Sequence, residues 1–149
     1  MKFRFLTLAL LTTAAAASAA EKTAAAKPDT ENKTMTSQEW KGQYGGPLEP
    51  GHMVAADVTS WKALAAKVGL DASAPDFTKS VAVAVFVGER MRGGFTAAFE
   101  ESVMRGDDLL VRYRIKIPSG FTTQALAQPW KVKVFARPKG KVIVEAIAP

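Results

Sequence analysis

The sequence predicts an α+β fold, a small antiparallel β-sheet or sandwich of about six strands with one N-terminal amphipathic helix packed on it. Three observations support this prediction. Only one segment, 59–68, has a convincing helical pattern, and 81–87 is an unbroken apolar strand. Further strand-like segments follow, separated by turns rich in glycine and proline. A helix followed by consecutive hairpins is typical of the α+β class.

Residues 1–20 have the features of a signal peptide. Lys2 and Arg4 precede an apolar stretch, and the small-residue run AAAASAA offers a cleavage point after Ala19 or Ala20. The apolar stretch is shorter than a membrane span requires, and no cysteine is present to carry a lipid anchor. We therefore expect a secreted or periplasmic protein with no integral membrane span.

Residues 21–37 contain no aromatic or branched aliphatic side chain, which predicts a disordered linker. Residues 38–149 are long enough for a single domain with its own core. The chain has 20 Lys and Arg against 14 Asp and Glu, a net charge of +6. Without residues 1–20, which hold two bases and no acid, 18 bases face 14 acids, or +4. This mild excess predicts no nucleic-acid partner.

The helix is predicted from its apolar face and its two ends. Thr59 or Ser60 can cap the N-terminus, and Gly69 is suited to a left-handed residue that ends the helix. The apolar side chains recur at i, i+3, i+4 and i+7, namely Trp61, Leu64, Ala65 and Val68. This face needs an apolar surface to cover, and the sheet that follows supplies one.

The strands are predicted in chain order. A short first strand lies within 52–58, and 81–87 is apolar on both faces, which indicates a central strand. The double glycine at 93 and 94 then reverses the chain into a neighbouring return strand at 95–103. From 109 to 117 apolar and polar residues alternate, with Leu110 on the outward side and Ile117 on the inward side. Segments 130–137 and 141–147 are expected to pair across the turn at 138–140.

The reactive groups favour a non-enzymatic protein. Cysteine is absent, His52 is the only histidine, and no Gly-x-Ser-x-Gly or phosphate-binding glycine motif occurs. The acidic doublets Glu100-Glu101 and Asp107-Asp108 point to opposite faces of a strand, so neither converges on one substrate. We expect no catalytic residue, no metal and no cofactor.

Protein binding is favoured instead, at the turn after the central strand. Its glycines allow positive φ and the approach of a partner's backbone, and charged and apolar side chains flank them; a plain hairpin turn is the alternative. Phe121 and Trp130 lie at a loop exit, where they could anchor a partner, although a tryptophan beside a strand usually packs in the core. The candidate partner-binding residues are Arg90, Met91, Arg92, Gly93, Gly94, Phe95, Phe121 and Trp130.

A basic strand face is a second candidate site. If strands 109–117 and 130–137 pair, their outward residues form one basic surface, made of Arg112, Arg114, Lys116, Lys131 and Lys133. Such a surface would suit an envelope protein that binds an anionic glycan or a lipid head group. An ordinary solvated strand face explains the same residues.

The segments from Asp76 through Gly140 resemble the C-terminal domain family of the protease complex subunit PrcB. The matching positions are Asp76, Phe77, Gly88, Glu89, Arg90, Gly93, Gly94, Phe95, Pro118, Gly120, Thr123, Gln124, Pro129 and Trp130. The likeness covers most of residues 40–149. It implies a non-enzymatic accessory role, in which the domain binds another exported protein and a protease is the favoured partner.

A looser likeness is to the chagasin-type inhibitors of cysteine proteases. These small β-sandwiches insert a glycine-aromatic loop and a second aromatic loop into a peptidase cleft. Gly93-Gly94-Phe95 and Pro129-Trp130 are similar to those loops in kind. Inhibition of a protease is therefore a further alternative.

Overall fold

The structure, a computed structural model, describes residues 38–149. The signal peptide predicted at 1–20 and the linker predicted at 21–37 lie outside these residues. Within the described part the α+β prediction is confirmed, with seven strands rather than about six and a single helix. In chain order they are β1 (Glu39–Gly42), β2 (Gly51–Ala55), α1 (Val58–Val68), β3 (Ser80–Phe86), β4 (Thr96–Arg105), β5 (Asp108–Lys116), β6 (Trp130–Ala136) and β7 (Val142–Ile147).

The strands form two sheets. The first sheet has the order β1-β6-β3-β2 and is antiparallel throughout, and the second has the order β4-β5-β7. In the second sheet β4 and β5 are antiparallel, whereas β5 and β7 are parallel. The short strand β1 was not anticipated from the sequence. The helix and the second sheet cover opposite faces of the first sheet, so the domain has three layers.

The central position predicted for 81–87 is confirmed, because every residue of β3 is buried between β2 and β6. Its side chains alternate between the two faces of the sheet. Ala82, Ala84 and Phe86 pack with the helix. The valines at 81, 83 and 85 pack against the second sheet instead. A strand covered on both faces has no polar position, which accounts for its continuous apolar sequence.

Two of the predicted hairpins are wrong. The return strand after Gly93 and Gly94 is β4, which lies in the second sheet rather than beside β3. Both edges of β3 are already paired, to β2 and β6, so no edge remains for β4. The same reason excludes the expected pairing of β6 with β7, because β1 and β3 occupy both edges of β6. After the turn at 138–140 the chain therefore crosses to the second sheet and pairs with β5.

The helix has the predicted buried face, made of Trp61, Leu64 and Val68. Its N-cap is Asp57, two positions before Thr59, the nearer of the two expected residues. Asp57 accepts a hydrogen bond from the Ser60 amide at 2.7 Å, and the Ser60 hydroxyl accepts one from the Asp57 amide, which completes a capping box. These bonds from Ser60 lower the pKa of Asp57 below its ordinary value. Gly69 ends the helix at φ 64°, as predicted.

The hairpin of β4 and β5 turns at Gly106, and β5 shows the expected alternation over most of its length. Two positions differ. Leu110, expected to face solvent, is 1% exposed because it is paired with Val103 on one side and Ile143 on the other. Ile117, expected to point inward, lies beyond the end of β5 and is 57% exposed.

Candidate functional site

The turn that the sequence singled out is one half of a pair of joined loops. We call residues 87–95 the Arg90 loop and residues 117–129 the Phe121 loop. Arg90 and Ala127 exchange two backbone hydrogen bonds, of 2.8 and 2.9 Å, and the Gly93 amide donates to the Thr123 carbonyl at 2.9 Å. The Val87 amide also donates to the Pro129 carbonyl at 2.9 Å, so four backbone hydrogen bonds hold the two loops side by side. We call the surface they form together the joined rim.

The two glycines make this close approach between the loops possible. A Cβ atom at Gly93 would collide with the Thr123 hydroxyl, and one at Gly94 would lie 2.8 Å from Cβ of Pro118. Gly94 also has a φ of +89°, as the sequence predicted for this turn. The Phe121 loop thus occupies the Cβ direction of both glycines; Gly93 is buried, whereas Gly94 is exposed. The expected approach of a partner's backbone is therefore blocked at Gly93.

The joined rim presents large apolar side chains to solvent. Met91 is 78% exposed and Phe121 is fully exposed, and Leu126 is also largely accessible. Arg92 is exposed between Met91 and the glycines. Of the candidate partner-binding residues, Met91, Arg92 and Phe121 are the ones whose side chains a partner could reach most fully.

Trp130 has a different role from the one proposed in the partner-binding set. Its side chain is only 7% exposed and belongs to the core between the helix and the first sheet. Its indole Nε1 donates to the Tyr44 carbonyl at 2.9 Å, which satisfies the one polar atom of the ring. The residue therefore packs inside the domain and is unsuited to anchoring a partner.

Arg90 and Phe95 lie at the base of the joined rim and contact each other. The guanidinium carbon of Arg90 is 5.1 Å from the centroid of the Phe95 ring, and that of Arg92 is 5.7 Å away. Nη2 of Arg90 also donates to the Val87 carbonyl at 3.0 Å. Two positive charges thus surround one aromatic ring at the point where the Arg90 loop enters β4.

The predicted basic face does not form as one paired surface. It required β5 to pair with β6, but β5 belongs to the second sheet and β6 to the first. Arg112, Arg114 and Lys116 therefore lie on a different sheet from Lys131 and Lys133.

Most of these basic groups have partners within the chain. The ion pairs join Arg112 Nε to Glu145 at 3.5 Å, Arg114 Nε to Glu100 at 3.6 Å and Lys131 Nζ to Glu39 at 2.9 Å. The Lys133 ammonium lies 5.5 Å from the centroid of the Phe135 ring. Pairs at this exposure contribute little to stability, but they offset the positive charge of the strands.

The groups considered for catalysis are separated in the structure. His52 lies on β2, and its ring centroid is 6.5 Å from that of Tyr113. Glu100 pairs with Arg114, and the Asp108 carboxylate accepts a bond from the Lys141 amide at 2.7 Å. Residues 38–149 contain no cluster of three or more His, Cys, Asp or Glu side chains that could hold a metal. Over the same residues no helix is long and apolar enough to cross a membrane.

An apolar groove beside the Arg90 loop was not anticipated from the sequence. Its volume is about 420 Å³, and its walls come from Arg90, Phe95, the end of β5 and the residues at and after the end of β7. The sequence holds one signal for it, the small residues Ala146 and Ala148 on either side of Ile147. That signal could not be interpreted while β7 was expected to pair with β6.

Comparisons with models of protein families, with curated proteins and with solved structures gave no significant match.

Proposed function

We propose that residues 38–149 form a non-enzymatic accessory domain that binds another exported protein through the joined rim, with a protease as the favoured partner. The observation that carries this proposal is the pair of side chains Met91 and Phe121, exposed on two loops that are hydrogen-bonded to each other. Export is inferred from the signal features of residues 1–20.

The composition of the joined rim supports protein binding. Methionine, aromatic residues and arginine are enriched in the centres of protein interfaces, and the rim exposes one of each at Met91, Phe121 and Arg92. Exposed apolar residues that occur singly need no explanation. Here they occur on adjoining loops, together with Leu126.

The hydrogen bonds between the two loops also support this function. Ordering a loop on binding costs affinity, so a loop that is already held in one arrangement binds more tightly for the same contacts. The Arg90 loop has this advantage because the exchange of bonds between Arg90 and Ala127 and the bond from Gly93 to Thr123 hold it against its neighbour.

The choice of a protease as partner rests on the resemblance to the PrcB C-terminal domain family. Most of the residues that carry this resemblance lie on the two loops: Gly88, Glu89, Arg90, Gly93, Gly94 and Phe95 on one, and Pro118, Gly120, Thr123, Gln124 and Pro129 on the other. The resemblance and the exposed side chains therefore favour the same surface.

The test uses matched substitutions at the two ends of β4. Met91→Ser with Phe121→Ser, and separately Arg92→Glu, change the joined rim. Met104→Ser matches the change at Met91 and Arg105→Glu matches the change at Arg92, at exposed positions of the β4–β5 hairpin about 30 Å away along the strand. Partners are captured from the exported fraction, identified by mass spectrometry, and titrated as purified proteins against each variant.

We expect the rim variants to weaken binding of the purified partner by at least about tenfold, as loss of an interface anchor does, with unchanged thermal unfolding. The hairpin variants should bind as the unaltered protein does. Equal losses from both sets of variants would reject the joined rim as the binding surface. A purified partner that proves not to be a protease would reject that part of the proposal alone.

A further inference from the structure

The apolar groove has the size of a small-molecule site. Its volume of about 420 Å³ falls within the range of about 300 to 1,000 Å³ that is usual for ligand pockets. Phe95, Tyr113 and Ile115 form part of its wall and also belong to the core cluster between the two sheets. The groove is therefore an opening into the apolar interior rather than a hollow on a polar surface.

The groove is open where a small side chain, Ala146, lies on the inner face of β7. Val142 and Val144 of β7 pack into the core between the sheets. Ala146 is the next residue on that face of the strand, and it is paired with Tyr113 of β5. A methyl group in place of a larger side chain leaves the wall incomplete at this position, and Ala146 is exposed as a result.

One charged side chain, that of Arg90, lies in this apolar wall. Within residues 38–149 the ion pairs involve Arg112, Arg114 and Lys131, so no carboxylate is within pairing distance of the Arg90 guanidinium. Its Nε atom is buried and has no hydrogen-bond acceptor among the same residues. A partly buried guanidinium without a counter-charge attracts an anion, and a carboxylate is the group that its geometry fits best.

We propose that the groove binds an alkyl carboxylate, a fatty acid of medium chain length. The carboxylate accepts hydrogen bonds from Arg90, and the alkyl tail lies against Phe95, Ile115 and Ala146. A single guanidinium beside walls of aromatic and aliphatic side chains matches a ligand with one negative charge and a long apolar part. The nearby Arg92 adds positive potential at the same end. This site does not depend on the proposed function, because Met91 and Phe121 take no part in it.

The experiment titrates the full chain with decanoate below its critical micelle concentration, followed by calorimetry and by NMR of the methyl groups. We expect saturable binding with one site, and shifts at Ile115 and Ala146. Octanoate should bind about fifteenfold more weakly, at about fourfold for each methylene lost. Decanol, which has the same tail without the charge, should bind at least about tenfold more weakly than decanoate.

Two variants test the two ends of the ligand. Arg90→Gln removes the charge, with Arg105→Gln as the control for loss of an exposed arginine. Ala146→Phe fills the groove, with Ala66→Phe on the exposed face of α1 as the control for an added ring. Each of Arg90→Gln and Ala146→Phe should weaken decanoate binding at least about tenfold. The two control variants, and Met91→Ser in the joined rim, should leave it unchanged.

Circular dichroism establishes which variants fold. If Arg90→Gln does not fold, Ala146→Phe and the comparison of decanol with decanoate still test whether the groove binds the fatty acid. Equal binding of decanol and decanoate, or binding that survives Ala146→Phe, would overturn the proposal. So would the absence of saturable decanoate binding. Tighter binding of an N-acetylated dipeptide of leucine and isoleucine than of decanoate would assign the groove to a peptide carboxyl end instead and reject the fatty acid.

Discussion

The two faces of the first sheet bury apolar side chains in different ways. On the helix side, Trp61 and Leu64 of α1 fill the space above the small residues Ala82 and Ala84 of β3. The tilted rings of Trp40 and Phe77 stand beside Trp61, with centroids 5.3 and 6.3 Å from it. On the other side, valines of β3 meet Leu109 and Val111 of the second sheet. The helix side is closed by aromatic rings, whereas the sheet side ends in the open groove.

This difference originates in the alternation of alanine and valine along β3. Small residues on one face let a helix with bulky side chains approach closely, and branched residues on the other face fill the constant gap of about 10 Å between two sheets. One strand therefore specifies which layer lies on each of its faces. The same reasoning indicates that truncations on the two sides should have unequal effects.

The largest effect is expected from Leu64→Ala on the closed side. Leu64 is fully buried, so the substitution leaves a cavity and should lower the free energy of unfolding by about 2 to 5 kcal/mol. Urea denaturation followed by tryptophan fluorescence measures it.

The matched truncation on the open side is Ile115→Ala. Ile115 is only partly buried and lines a groove that already exists, so its loss should cost about 1 kcal/mol. Equal costs at positions 64 and 115 would contradict the contrast between a closed and an open side.

An effect smaller than that of Leu64→Ala is expected from Gly93→Ala, which tests the paired loops at the open end. The added methyl group collides with the Thr123 hydroxyl, and we expect a loss of about 1 to 2 kcal/mol in unfolding free energy. Thr123→Ala removes the obstructing oxygen, so the double variant should recover most of that loss. Additive losses in the double variant would mean that the loops do not touch in this way.

The smallest effect, and one specific to the helix side, comes from Asp57. Its pKa is lowered in the folded state by hydrogen bonds from Ser60, so its contribution is present above the ordinary pKa of 3.8 and is lost as the pH falls through the folded value. Asp57→Ala should therefore lower the melting temperature at neutral pH. The difference in melting temperature between the variant and the unaltered protein should become smaller as the pH is lowered. A difference in melting temperature that does not change with pH would contradict the capping role of Asp57.

The sequence was a good guide wherever local pattern decides structure. The spacing of Trp61, Leu64 and Val68 located the helix, and the continuous apolar run located the central strand, because both patterns follow from burial alone. The capping role of Asp57 was missed because Thr59 and Ser60 are equally good capping residues.

The pairing of the strands could not be predicted from local pattern in the same way. Whether β4 and β7 pair with their sequence neighbours depends on which edges are already occupied, and that is decided by segments far along the chain. The exposed side chains of the joined rim, Met91, Arg92 and Phe121, were named from the sequence. The contact between Gly93 and Thr123, which joins the two loops, was not. The groove depends on the parallel pairing of Ala146 with Tyr113, for which the sequence carries no local signal.

The parallel pairing of β7 with β5 has a consequence for how the domain opens. β7 is held by a single ladder at the edge of the second sheet, whereas β3 is paired along both of its edges. Edge elements with one ladder open most readily. Amide protons of β7 should therefore exchange with solvent well before those of β3. Each such opening detaches one wall of the groove, which gives a bulky molecule a lateral way in without any unfolding of the rest of the domain.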